Sequence, residues 1–165
     1  MRKSEKIFFL ALGGLAIVLV SYKSWLVSND TEEDPGIPFY TTASQEVQKE
    51  ASKLIRGLKC RECHTLWGTR DMTASVPSPP LDGLGSLRTE DWFFQYFSAE
   101  KPQEILPSRL KLKYRMPSYA HLDVEDRKIL ASYMASLKVE DWYLEEVKKK
   151  QYEKLTGKTY QPSNG

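Results

Sequence analysis

The apolar positions of this chain fall into one unbroken run followed by three interrupted stripes. The run is Ile7–Val20, IFFLALGGLAIVLV, and it holds no charged residue. Its apolar character extends through Tyr22, Trp25, Leu26 and Val27. A helix needs about 20 residues to cross the hydrocarbon core of a bilayer, and residues 7–27 reach that length. Lys23 can snorkel outward, and Tyr22 and Trp25 suit an interfacial belt. A cleaved secretory leader wants an Ala-x-Ala-like site. None stands between Val20 and Asn29, and no cysteine there offers a lipid anchor. The expectation is therefore an uncleaved transmembrane helix within residues 1–28. Arg2, Lys3 and Lys6 keep the N-terminus in the cytoplasm, so the remainder of the chain is exported.

The stripes have the spacing of helices. Val47, Ala51, Leu54, Ile55 and Leu58 recur at helical intervals over residues 45–58, after the capping candidates Thr41, Thr42 and Ser44. Thr89-Glu90-Asp91 makes a helix start with a cap and an acidic first turn, and Trp92, Phe93, Tyr96 and Phe97 follow. Asp123 opens the last clear helix, whose stripe is Ile129, Leu130, Tyr133, Met134 and Leu137. Between the stripes lie Pro- and Gly-rich stretches: 29–43 as a linker, then 65–85 and 100–119 as loops. Gly57, the poorest helix former of its stripe, suits a close approach between helices. The predicted organisation is an anchor (1–28), a linker (29–43), an all-α domain (44–138) and a partly helical extension (139–165). Trp142, Tyr143, Val147, Tyr152 and Leu155 mark the extension. A strap across its own domain is the simpler reading of it, and docking to a larger complex is the other.

Composition changes this picture little. The formal charge of +2 over 165 residues gives no reason to expect nucleic acid or another polyanion as partner. Cysteine usage changes it more. The only two cysteines stand in Cys60-Arg61-Glu62-Cys63-His64, the spacing of covalent haem attachment. Thiols at i and i+3 share one side of a helical turn, so each can add to one vinyl group of the same porphyrin. His64 then supplies the proximal nitrogen to iron. A thioredoxin-like site would need a strand before the motif, where a helix is predicted. A zinc site would need a fourth ligand, and His121 is the only other histidine. A loop as long as 65–85 needs something to organise it, which a haem wrapped by the chain would provide.

Candidates for the sixth iron ligand are Met72, Met116, Met134 and His121. Met134 belongs to a core stripe. Met72 follows the motif so closely that it falls on the proximal side. Met116 lies in a loop before Pro117, where packing and ligation stand equal on the residues alone.

The chain resembles the class I c-type cytochromes over about residues 45–138. A helix leads into Cys60-x-x-Cys63-His64. Pro79-Pro80-Leu81 resembles the family's Gly-Pro-x-Leu, with Ser78 in place of the glycine. Gly85-Ser86-Leu87-Arg88-Thr89-Glu90-Asp91-Trp92 resembles its Gly-x-x-Arg-x-x-x-Trp helix start, and Met116-Pro117-Ser118-Tyr119 precedes a terminal helix. The resemblance implies the class I fold, with short helices and loops around one covalent haem c. It implies Met116 as distal ligand, with His121 as rival. It also implies the Pro79 carbonyl as acceptor for the second ring nitrogen of His64, crossed N- and C-terminal helices with Gly57 between them, and Arg88 and Trp92 near the propionates. With both axial positions filled, such a protein carries electrons and is not itself an enzyme.

The implied setting is a respiratory chain at a bacterial inner membrane, with the haem domain on the periplasmic face. A second reading makes the chain the haem c subunit of a nitric oxide reductase or haem–copper oxidase. A third, a haem sensor or peroxidase, would need an open distal position. Residues 108–116 (SRLKLKYRM) alternate Arg109, Lys111, Lys113 and Arg115 with Leu110, Leu112 and Tyr114. If extended, that pattern gives one cationic face leading to Met116, suited to steering an acidic redox partner.

Overall fold

In a computed structural model, the chain is described over residues 3–29, 35–72, 76 and 78–161, without the side chains of 3, 6–8, 26, 27 and 29. It divides into two units, Met1–Gly36 and Ile37–Gly165.

The first unit contains helix α1, Lys3–Asn29. Its described apolar side chains, among them Phe9, Leu12, Leu15, Ile17 and Val20, are exposed. Among the described residues, no helix is long and apolar enough to cross a membrane. The expected span counted on Ile7, Phe8, Leu26 and Val27, whose side chains lie outside the described residues.

The second unit is mostly helical. Its elements in order are β1 (Phe39–Thr41), α2 (Gln45–Gly57), α3 (Glu90–Ser98), α4 (Pro102–Ile105), α5 (Val124–Ser136), β2 (Leu137–Val139) and α6 (Leu144–Thr156). Local chemistry accounts for the helix starts. The Ser44 hydroxyl accepts from Val47 N–H, and the Thr89 hydroxyl accepts from Trp92 N–H; each cap contributes about 1 kcal/mol. Asp123 occupies the N-cap position of α5 but makes no side-chain cap bond.

Helices α2, α3 and α5 pack around Ala51, Ile55, Phe93, Tyr96, Phe97, Leu130, Ala131 and Met134. The crossed pair α2 and α5 was expected to meet at Gly57, but Gly57 has open space around it. Ala51, with no exposed surface, is the small residue of the α2 face instead. The closest approach falls on Gly85, where an added Cβ would sit 2.1 Å from the Ala135 carbonyl oxygen.

The mostly helical second unit also holds one small strand pair: β1 and β2 pair antiparallel, with Phe39 opposite Val139 and Thr41 opposite Leu137. Phe39–Thr41 therefore belongs to the folded unit, although it falls in the stretch read as linker. Strands of three residues carry too little periodicity to stand out. The pair is held at its ends by Thr42 N–H to Ser136 O (3.1 Å) and Glu140 N–H to Pro38 O (2.9 Å). The extension beyond residue 138 also packs on the same unit. Val147 is buried against Gly83, and Gln151 reaches the 79–81 loop. This is the strap arrangement.

Candidate haem-binding site

Helix α2 ends at Gly57, and Lys59 takes the left-handed conformation (φ 57°), which turns the chain before Cys60. A 3-10 turn at Cys60–Glu62 follows, with Cys63 N–H and His64 N–H both donating to Cys60 O. Three residues per turn bring positions i and i+3 into register, so Cys60 and Cys63 are presented on one side. Both are partly buried, and before attachment burial pushes the Cys60 thiol up to about 11.

The His64 Nδ1–H donates to the Pro79 carbonyl at 2.7 Å. A carbonyl can only accept, so this bond fixes the tautomer and leaves the lone pair on Nε2. Burial holds the imidazole below its ordinary pKa, outweighing the Pro79 carbonyl, which favours the protonated ring. A neutral imidazole with its proton on Nδ1 is the form that binds a metal through Nε2.

Both thiols and His64 line a cavity of about 350 Å³. Met116, Tyr119, Trp92, Phe93 and Phe97 contribute to its wall, which is predominantly apolar. These residues fit a covalently held haem: two adjacent thiols, an oriented imidazole and a thioether line one space of aromatic and aliphatic character. His121 is exposed and does not line the cavity, and Met72 is fully exposed rather than placed at the proximal face. Met134 lines it as a buried core residue.

The Met116 loop is built by side chains. Gln103 Nε2–H donates to Met116 O at 2.7 Å, and the Ser118 hydroxyl donates to Ala99 O at 2.8 Å. Arg88 stacks over the Trp92 ring at 4.7 Å, and both line the cavity.

The alternation at 109–115 does not produce an extended strand. Leu112–Tyr114 form a 3-10 turn, Leu110, Tyr114 and Arg115 line the cavity, and Leu112 points to solvent. Among the described residues the segment has no strand to pair with, and its two arginines are used locally. Arg109 Nε–H donates to Lys154 O, and Arg115 Nε–H donates to Leu110 O.

Asp82 organises the 65–85 loop, a role that sequence reasoning missed. Trp67 (φ 57°) and Gly68 (φ 67°) form a left-handed turn closed by the Leu66–Thr69 bridge. The buried Asp82 carboxylate accepts from both of their N–H groups. No spacing signal marks it; single acidic residues default to solvated surface.

Among the described residues, no group of acidic, histidine and cysteine side chains is arranged to hold a bare metal ion. The sequence model of the family described as Cytochrome c matches residues 48–138, more than half of the chain. No curated protein and no solved structure gives a significant match.

Proposed function

The chain belongs to the cytochrome c family and carries covalently attached haem c, and from that premise we propose a membrane-anchored, one-electron carrier with iron held between His64 and Met116. Haem supplies a one-electron iron couple, and the residues around it set where that couple lies. Cys60 and Cys63 hold the group covalently, and His64 presents Nε2 because Pro79 occupies Nδ1. Met116 would supply a second ligand to the iron from the same cavity, which would leave no open site for substrate. The carrying observation is that Met116 shares the cavity wall with Cys60, Cys63 and His64. Arg88 lines the same cavity and would meet a carboxylate edge of the macrocycle.

The anchor reading is supported by α1, whose described side chains from Phe9 to Val20 are exposed and apolar. A helix apolar all round belongs in an apolar surrounding. The basic residues Arg2, Lys3 and Lys6 orient it with the haem domain on the outer face of a bacterial inner membrane. There the chain would relay electrons between respiratory components, with Lys111 and Lys113 facing an acidic partner.

Purifying the full chain from membranes in mild detergent, with spectra of the wild type and of Met116→Ala and His121→Ala, tests this reading. The wild type and His121→Ala should show a low-spin ferric spectrum with the far-red sulfur-to-iron band, and Met116→Ala should lack that band. A high-spin wild type overturns the carrier reading, and a chain found outside the membrane fraction overturns the anchor.

A further inference from the structure

The peptide run that supports His64 is Pro79-Pro80-Leu81, and it is gripped at three points. Pro79 O accepts from His64 Nδ1–H at 2.7 Å. Leu81 N–H donates to Thr65 O, next to His64, at 2.9 Å. The third grip comes from outside the family match: Gln151 Nε2–H, on α6, donates to Pro80 O at 2.7 Å. Two consecutive prolines have no N–H groups of their own, so Pro79 and Pro80 themselves can be hydrogen-bonded only through their carbonyls. His64 takes one carbonyl and Gln151 the next.

Gln151 is buried and lines the cavity with Leu155. Its helix is fixed on either side of it. Upstream, Val147 is buried and would lie 3.0 Å from a Cβ at Gly83. Downstream, Lys154 O accepts from Arg109 Nε–H at 3.0 Å, and Gly157, left-handed at φ 72°, ends the helix against the Arg109 side chain. A buried amide held this way is a preorganised donor rather than a surface contact.

We propose that Gln151 is a positioning residue for the proximal ligand, with the C-terminal extension tuning the iron through Pro80, Pro79 and His64. The proposal rests on the assignment of His64 as an iron ligand. A firm Nδ1–H···O bond makes the imidazole a stronger electron donor, which favours the oxidised iron. Removing the Gln151 donor frees Pro80 O, loosens the adjoining Pro79 carbonyl and weakens that bond. The reduction potential should therefore rise.

The experiment uses the full-length holoprotein with Gln151→Met, which keeps length and loses the donor, and Val147→Ala, which loosens α6 and keeps Gln151. Gln151→Met should shift the reduced-to-oxidised ratio at fixed potential by up to tenfold, equivalent to ~59 mV for one electron. It should also speed solvent exchange of the His64 Nδ1 proton seen by NMR. Val147→Ala should lower stability with little change in either readout. A wild-type potential and exchange rate in Gln151→Met overturn the proposal, as does an equal potential shift in Val147→Ala, which would mean general loosening. A wild type without histidine-ligated haem overturns the assignment of His64 itself, and the proposal with it.

Discussion

At the scale of single residues, the aromatic side of the cavity makes alkaline pH its weak direction. Tyr96 stacks on Trp92 with ring centroids 5.2 Å apart and is buried, which pushes its phenol up to about 12. Tyr119 is raised as well, chiefly by burial. Below the unfolded tyrosine value, about 10, both states are neutral and the folded state carries no penalty. Above it the unfolded chain releases its proton first, so stability falls as pH rises toward the folded value. At ~1.4 kcal/mol per pH unit, Tyr96 alone accounts for a loss of up to ~3 kcal/mol. Urea denaturation at about pH 8 and about pH 11 should show about half of this loss, ~1.4 kcal/mol, and Tyr96→Phe should remove it. A Phe variant with the wild-type slope would assign the loss to other groups. Which residues matter was unevenly legible at this scale. Cys60, Cys63 and His64 are contiguous, so their chemistry is written locally. Asp82 acts on a turn fourteen and fifteen residues before it, and nothing in its neighbours distinguishes it from a surface carboxylate.

At the scale of elements, two glycines separate what periodicity reveals from what packing decides. Gly57 sits in the α2 stripe and was expected at a helix crossing, yet a Cβ there meets nothing within 4 Å. Gly85 sits in a loop, and a Cβ there would meet backbone of Ala135 and Leu137 at 2.1–2.9 Å. Backbone cannot rotate out of the way as a side chain can, so Gly85→Ala should destabilise by ~3 kcal/mol or more. Gly57→Ala should be neutral or stabilising by up to ~1 kcal/mol. Comparing urea midpoints of the two variants checks this, and an inverted order would contradict the packing of the 84–86 turn on the end of α5. The helices themselves were readable because Ser44 and Thr89 cap as their side chains dictate and the stripes repeat. The β1–β2 pair was not, because each strand is three residues long and its stability comes from its partner. A glycine's neighbours are a tertiary fact in the same sense.

At the scale of the whole molecule, the family match ends at residue 138, whereas the folded unit continues through α6. The haem attachment was legible because covalent attachment needs a fixed motif, whereas Met116 was reached only through the family resemblance, since packing and ligation stand equal on its residues alone. The contribution of α6 was not, since Gln151 meets Pro80 across 71 residues of chain. Surface charge follows from the same arrangement. Arg109, Lys111, Lys113 and Arg115 are all exposed; Arg109 is bonded to α6 and Arg115 to Leu110, while Lys111 and Lys113 flank Leu112, with Lys113 lying over the Tyr114 ring. Tyr114 itself lines the cavity, so these two charges stand close to it. Charges on a surface steer an oppositely charged partner, and salt screens them over a Debye length of ~10 Å at 0.1 M. With an acidic partner, the bimolecular electron-transfer rate should fall as salt rises. Lys111→Glu with Lys113→Glu should slow it roughly tenfold or more at low ionic strength and flatten or reverse the salt dependence. The visible spectrum should stay unchanged, because neither lysine touches a ligand. A double variant that keeps the wild-type rate and salt slope would move the docking surface elsewhere on the molecule.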